Sequence, residues 1–157
     1  MTRKTKDGIV VYNPEDFEKM RRAGKLAAEV LDYITDYVDV GVTTGELDDL
    51  CRKYIESHGA VPACLGYHGY PKSTCISINH VICHGIPDDR KLADGDILNI
   101  DVTVILDGWF GDTSRMYYAG KPKLKATRLC DVTYECMMRG IEVVRPGAHF
   151  GDIGAVI

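Results

Sequence analysis

Asp101 and Asp112 stand eleven positions apart in "NIDVTVILDGWFGDTS", residues 99–114, where apolar residues alternate as in a half-buried β-hairpin. Asp107-Gly108 is the preferred pair for a two-residue type I′ turn. Counting outward from it sets Leu106 opposite Trp109, Ile105 opposite Phe110, Thr103 opposite Asp112 and Asp101 opposite Ser114. Alternate residues of a strand share a face, so the two aspartates become diagonal neighbours on one face, about 7–8 Å apart between backbones. Ile100, Val102 and Val104 fill the other face. Carboxylates brought together on a buried sheet repel each other, and an unpaired buried charge is costly, so a cation is expected between them. Hard divalent ions favour carboxylate oxygen, and a carboxylate that bridges two ions suits a two-metal hydrolase. Two plainer readings stand beside this one: Asp112, between Gly111 and Thr113, as a turn residue, and Asp101 as the ion-pair partner of an arginine such as Arg115. Spacing alone does not choose among them.

The elements that must position this hairpin come before it. Asn13-Pro14-Glu15-Asp16 reads as a helix start, with Asn13 as cap and two carboxylates at the positive end of the dipole. Phe17, Met20, Ala27, Val30, Leu31, Ile34 and Val38 then recur at three- and four-residue spacing, predicting a long amphipathic helix up to Gly41. Thr43 and Glu46 form a capping-box pattern, and Leu47, Leu50, Cys51, Tyr54 and Ile55 carry a second helix to His58-Gly59. Two helices are thus expected before any strand. Residues 60–70 lack periodicity, 73–79 alternate like a strand, and "GIPDDRKLADGD" is a turn-rich loop. Leu124, Leu129, Val132, Cys136, Ile141 and Val144 mark a third helix, stopped at Arg145-Pro146-Gly147. "HFGDIGAVI" begins another apolar-periodic segment that reaches Ile157 without a cap, and the expectation is a chain that is the first part of something longer.

Composition narrows the function classes. With 157 residues, 45% of them hydrophobic, the chain has the size and core of one ordinary domain. A net charge of −4 gives little attraction to phosphate backbones, so no nucleic-acid binding is expected. "MTRKTKDG" is basic but no apolar run follows, so it reads as a solvated tail rather than a signal peptide, and nothing approaches a membrane span. Six cysteines without a C-x-x-C pair argue for a reducing, cytoplasmic setting and against a disulfide framework or zinc ribbon.

"STCISINHVICHGIP", followed by "GDILNIDVTVILDGWFGDTSRMYYAG" and preceded by "ACLGYHGYPKS", strongly resembles the type I methionine aminopeptidases of the bacterial-like short form, with the likeness running over residues 8–157. The resemblance implies an α/β pita-bread (creatinase/aminopeptidase) fold: two pseudo-symmetric halves around a curved antiparallel sheet with flanking helices, here incomplete. It divides the chain into a tail and lead-in over residues 1–12 and the N-terminal half of a pita-bread catalytic domain over 13–157. It implies two divalent metal ions (cobalt, manganese, iron or zinc), with Asp101 and Asp112 as metal ligands. His84 of "CHGIP" is implied to be catalytic, touching the substrate near the scissile bond. Cys64, Tyr67, Tyr70 and Cys75 match positions that line the pocket for a methionine side chain, which suits the attraction of sulfur to aromatic edges; without the resemblance they would read as an aromatic core cluster. His68 and His80 match no role and read as solvent-facing loop residues, while His58 and His149 read as helix-end or cap residues.

The implied activity is metal-assisted hydrolysis that removes the N-terminal methionine from peptides and nascent chains with a small second residue, in the cytoplasm, at the ribosome, by a protein that is monomeric when complete. Relatives finish the site with a histidine in a "GHGIG"-like segment and glutamates in an "IEP"-like segment and near the C-terminus. None of those segments occurs here, so the 157-residue chain by itself is expected to be inactive. Two alternatives are a metal-free pita-bread binding module and a related proline-peptidase-like hydrolase. Retention of Asp101, Asp112 and His84 disfavours the first, and the closeness of "CLGYHGY" and "CHGIPDD" disfavours the second.

Overall fold

The structure, a computed structural model, describes residues 3–157 and contains two compact units, one ending at Gly120 and one spanning Lys121–Ile157. The first carries β1 (Arg3–Lys4), β2 (Val10–Val11), α1 (Pro14–Ile34), α2 (Thr44–Ser57), β3 (Val61–Pro62), β4 (Cys75–Ile78), β5 (Ile97–Leu106) and β6 (Trp109–Tyr118). The second carries α3 (Leu124–Glu142) and α4 (Phe150–Val156).

The β5–β6 hairpin is the frame of the first unit. Asp107 and Gly108 hold φ of 51° and 82°, the left-handed pair that a type I′ turn needs, and the register runs from Leu106 opposite Trp109 to Ile97 opposite Tyr118. Asp101 faces Ser114 and Thr103 faces Asp112, as counted from the turn. On its other edge β5 pairs with both β3 (Val61 with Ile105) and β4 (Cys75 with Asp101), all antiparallel. Between these two short strands the chain leaves the sheet, and that excursion later supplies one wall of the cleft.

Ile100, Val102 and Val104 are fully buried and pack with Leu31, Ile34, Leu47, Ile55 and Leu98 in one core. The Asn13 side chain accepts from the Glu15 and Asp16 amides while Asp16 accepts from the Asn13 amide, so the cap of α1 forms as the sequence predicts. The helix stops at Ile34, earlier than its periodicity suggests, and one 3-10 turn over Thr35–Tyr37 follows. Its buried stripe begins only at Ala23, leaving Phe17 and Met20 exposed. Ala23 is where the helix crosses the hairpin: a Cβ on Gly111 of β6 would overlap the Ala23 carbonyl, so only glycine permits this approach. The Thr43–Glu46 box caps α2, and His58 closes it, its ring stacked on Tyr54 with centroids 4.2 Å apart.

Strands do precede the helices. Arg3 and Lys4 pair with Val11 and Val10, a two-residue ladder too short to leave an alternating pattern; Met1 and Thr2 of the expected tail lie outside the described residues. In the second unit, Gly140 of α3 lets Ile153 and Ile157 approach, and His149 caps α4, its amide donating to Asp152 at 2.8 Å. Much of the periodic stripe of α3 stays open: Leu124, Leu129, Val132 and Ile141 are exposed. Among the described residues no helix is long and apolar enough to cross a membrane.

Candidate metal and substrate site

A cleft of about 880 Å³ opens over the cleft-side face of the hairpin. β5 gives it Asp101 and Thr103, and β6 gives Phe110 and Asp112. The excursion after β3 contributes Cys64, Tyr67, His68 and Tyr70, Cys75 enters from the start of β4, and His84 and Ile86 come from the loop beyond it. The residues singled out from sequence as metal-holding, catalytic and substrate-binding thus lie around one space.

The two carboxylates differ in setting. Asp101 is half-buried, and Asp112 is exposed on the cleft side of its strand. Burial pushes the Asp101 carboxyl above the usual carboxylate range, the negative charge of Asp112 adds to this, and His84 opposes it. Among the described residues neither carboxylate enters an ion pair or side-chain hydrogen bond. Arg115 pairs instead with Asp32 of α1 at 2.8 Å, and Asp112 sits within β6 rather than in a turn, so both plainer readings fall away. Two unneutralised carboxylates on one face fit a hard divalent cation by donor chemistry. No group of three or more His, Cys, Asp or Glu that could hold a metal occurs among the described residues.

His84 is held by its neighbour. It occupies a left-handed backbone (φ 55°), a region non-glycine residues visit only when their surroundings enforce it. The Gly85 amide donates to Ser77 Oγ at 3.1 Å, while the Gly85 carbonyl accepts from the Ile76 amide at 2.9 Å and from the Tyr70 hydroxyl at 3.1 Å. A Cβ on Gly85 would overlap the Ile76 carbonyl, so the chain can lie against β4 here only as glycine. The one Tyr70 hydroxyl proton is shared with the Thr74 carbonyl, 3.0 Å away. Its phenol is therefore a structural donor as well as part of the wall, and burial drives its pKa far above that of a free tyrosine.

The base of the excursion rests on Asp48, a buried carboxylate of α2 that accepts from the Ser73 amide (3.0 Å), the Thr74 amide (2.8 Å) and Thr74 Oγ1 (2.7 Å). Burial raises the thiols of Cys64, to about 11, and of Cys75. Sequence reasoning passed over Asp48, which in "GELDDL" looks like any solvated helix carboxylate. It also assigned His68 to solvent; the ring is exposed but lines the cleft, edge-on to Tyr67 at 4.4 Å, on a backbone of φ 47°. The "HG" pair after Tyr67, a turn signal inside an aromatic stretch, is the one hint the sequence offers. His80 is exposed and outside the lining.

Comparison with known proteins places this geometry. Residues 18–157 match Metallopeptidase family M24. The chain is 64% identical over 149 residues to a methionine aminopeptidase of Rickettsia prowazekii, covering 95% of this chain and 58% of the relative, and 60% identical over 152 residues to one of Escherichia coli, covering 95% and 57%. It therefore spans little more than half the length of these relatives. The crystal structure of the Rickettsia prowazekii methionine aminopeptidase superposes with a TM-score of 0.92 at 61% identity, over 99% of this chain and 60% of that one. A Bacillus anthracis Xaa-Pro dipeptidase, at 16% identity over 93% of this chain and 40% of that one, shares the fold with a TM-score of 0.82. The pita-bread architecture is common to these neighbours, and with residues 18–157 matched, the chain belongs to metallopeptidase family M24.

Proposed function

We propose that this chain carries the methionine pocket, two metal-holding carboxylates and the substrate-facing histidine of a methionyl aminopeptidase, which removes the N-terminal methionine from nascent proteins and peptides with a small second residue. The observation that supports this most is the convergence of Asp101, Asp112, His84 and a sulfur-aromatic wall on one cleft, in a chain 64% identical to a protein named methionine aminopeptidase. The reading includes two divalent ions drawn from cobalt, manganese, iron or zinc, a cytoplasmic setting, nascent chains at the ribosome as substrates, and a monomer.

Each residue's part follows from its position. Asp101, recessed, and Asp112, open to the cleft, would hold the ions, whose charge would offset the burial and the Asp112 repulsion that together lift Asp101. When bound, a divalent ion lowers the pKa of a water and polarises a carbonyl. His84, fixed by the three bonds at Gly85, directs its imidazole toward the scissile amide and donates to the oxygen that gains charge there. Cys64, Tyr67, Tyr70 and Cys75 receive the side chain; raised pKa values keep Cys64, Cys75 and Tyr70 neutral near pH 7, so that wall of the slot suits an uncharged thioether.

The test joins this chain to the remaining C-terminal length of the Rickettsia prowazekii relative and follows methionine release from Met-Ala-Ser and Met-Leu-Ser with added manganese. Metal-dependent turnover of the first peptide, with little of the second and none in Asp112→Asn, is the expected result. Turnover unaffected by a chelator, or full activity in Asp112→Asn, overturns the reading. The 157-residue chain alone is expected to release no methionine, since two carboxylates leave most positions of such an ion to water.

A further inference from the structure

Two pairs of rings, each set four residues apart, meet where α1 and α2 pack. A spacing of four brings side chains together on one side of a helix. Tyr33 and Tyr37 are so placed at the end of α1 and on the 3-10 turn after it, with ring centroids 5.0 Å apart. Tyr54 and His58 are so placed at the end of α2, with centroids 4.2 Å apart. Tyr33 joins the pairs, its ring 4.6 Å from that of Tyr54 with 30° between the planes. The result is one continuous row of Tyr37, Tyr33, Tyr54 and His58 that crosses from helix to helix. Tyr54 is held in it: the side chain packs against the core, and the Ser57 hydroxyl donates to its carbonyl at 2.8 Å. Tyr33 and Tyr54 are half-buried, while Tyr37 is 41% exposed, so the row opens to solvent there.

We propose that Tyr33 and Tyr54 are an oxidative modification site, at which a one-electron oxidant joins the two rings into a dityrosine cross-link between α1 and α2. Each phenol gives one electron to the oxidant and one proton to water, leaving a phenoxyl radical whose spin is shared with the carbons ortho to oxygen. A bond forms between one such carbon of each ring, and the two ring hydrogens it displaces move to the two oxygens. Two electrons and two protons leave the protein, and two equivalents of oxidant are reduced. Tyr33 couples with Tyr54 rather than with Tyr37 because those rings are closer and more nearly parallel, 4.6 Å and 30° against 5.0 Å and 47°. An imidazole is harder to oxidise than a phenol, so His58 ends the row without taking part. Tyr12 and Tyr67 rest on Trp109 and His68 instead. The cross-link closes the chain between residues 33 and 54 into a covalent loop, which restricts the unfolded state as a disulfide does.

The test illuminates the 157-residue chain with tris-bipyridyl ruthenium(II) and persulfate, which together generate a one-electron oxidant, and takes the monomer band from a denaturing gel. Its cysteines are reduced and alkylated, so that Cys51 and Cys64, which travel on the same peptides, cannot mimic the link, and tryptic peptides are mapped by mass. Cleavage after Lys25, Arg52, Lys53 and Lys72 puts Tyr33 and Tyr54 on separate peptides. The expected product is those peptides joined, lighter by two hydrogens than their sum, with dityrosine fluorescence and fragment ions that place the bond on Tyr33 and Tyr54. Its yield should be at least tenfold lower in urea. Tyr33→Phe and Tyr54→Phe, which keep the rings but not the phenols, should each abolish the joined pair, and Tyr37→Phe should retain it. A bond that maps to Tyr37, Tyr67 or Tyr70, an equal yield in urea, or a joined pair that survives in Tyr54→Phe overturns the proposal. None of these readouts needs peptidase activity, so they stand apart from the outcome of the methionine-release test.

Discussion

The Tyr70 hydroxyl meets the Gly85 carbonyl at 3.1 Å, linking the loop before β4 to the loop after it, with the whole strand between them. The Thr74 carbonyl lies 3.0 Å from the same hydroxyl and shares its one proton, so a single side chain ties the aromatic wall to the peptide that follows His84. Tyr70→Phe keeps the ring and removes only this tie. A part-buried hydrogen bond contributes about 1 kcal/mol, so a modest fall in the urea midpoint is expected. Amide exchange at Gly85 and Ile86 should quicken while exchange in α1 stays as it was. Unchanged exchange around Gly85 would mean that the ladder to Ile76 holds His84 unaided.

Asp101 sets a pH dependence that can be signed. Its carboxyl is raised in the folded state, first by burial and then by Asp112. The stability it contributes is therefore fully present below about pH 4, the unfolded carboxylate value, and is lost as pH rises through the higher folded value. Asp112→Asn removes the second cause and brings that folded value down. Without metal, the variant should lose less stability than the parent between pH 4 and neutrality; with manganese, it should gain less. Melting temperatures measured across pH, with and without the ion, check both signs. A variant that gains as much from manganese as the parent would remove Asp112 from the metal-holding pair.

The hairpin register was legible because Asp107-Gly108 admits one turn geometry, and every pairing follows from it by counting. Helix caps were legible for the same reason: Asn13 with Asp16 and Thr43 with Glu46 act over three residues. What escaped depends on distant neighbours. Asp48 acquires its meaning only when Ser73 and Thr74 arrive from another element, and the end of the buried stripe on α1 is set by where Gly111 lets the hairpin cross. Periodicity in α3 forecast a helix correctly, yet it could not say that Leu124 and Leu129 would be left exposed. At the site, the residues were named from a family resemblance, and face-counting alone had given only the carboxylate pair.

Asp48→Ala tests the support beneath the cleft. The carboxylate accepts from two amides and a hydroxyl in a buried setting, and its loss strands all three donors. Each unsatisfied buried group costs about 1–3 kcal/mol, so the variant should lose more than about 3 kcal/mol in urea unfolding. Asp48→Asn, which retains one acceptor oxygen, should recover part of that. Equal losses in the two variants would point to charge rather than acceptor geometry.

Gly111 and Gly85 make a contrasting pair, because a Cβ at either would overlap a carbonyl oxygen of the neighbouring backbone, yet the neighbours differ. At Gly111 the obstacle is Ala23, in a long helix whose buried face packs into the core, and neither element can retreat without opening that core. Overpacking of this kind costs about 1–3 kcal/mol or more, so Gly111→Ala should lower the unfolding midpoint of the whole first unit. At Gly85 the obstacle is Ile76 in a four-residue strand, while the Gly85 side belongs to a loop that can lift away. Gly85→Ala should break the bond from the Ile76 amide and release His84 from its left-handed backbone. Its global loss should be smaller, and its local effect larger: faster exchange at Ile76 and a shifted His84 ring resonance, with the α1 signals unmoved. If Gly85→Ala instead unfolds the unit as readily as Gly111→Ala, the His84 loop is part of the core rather than a segment held against it.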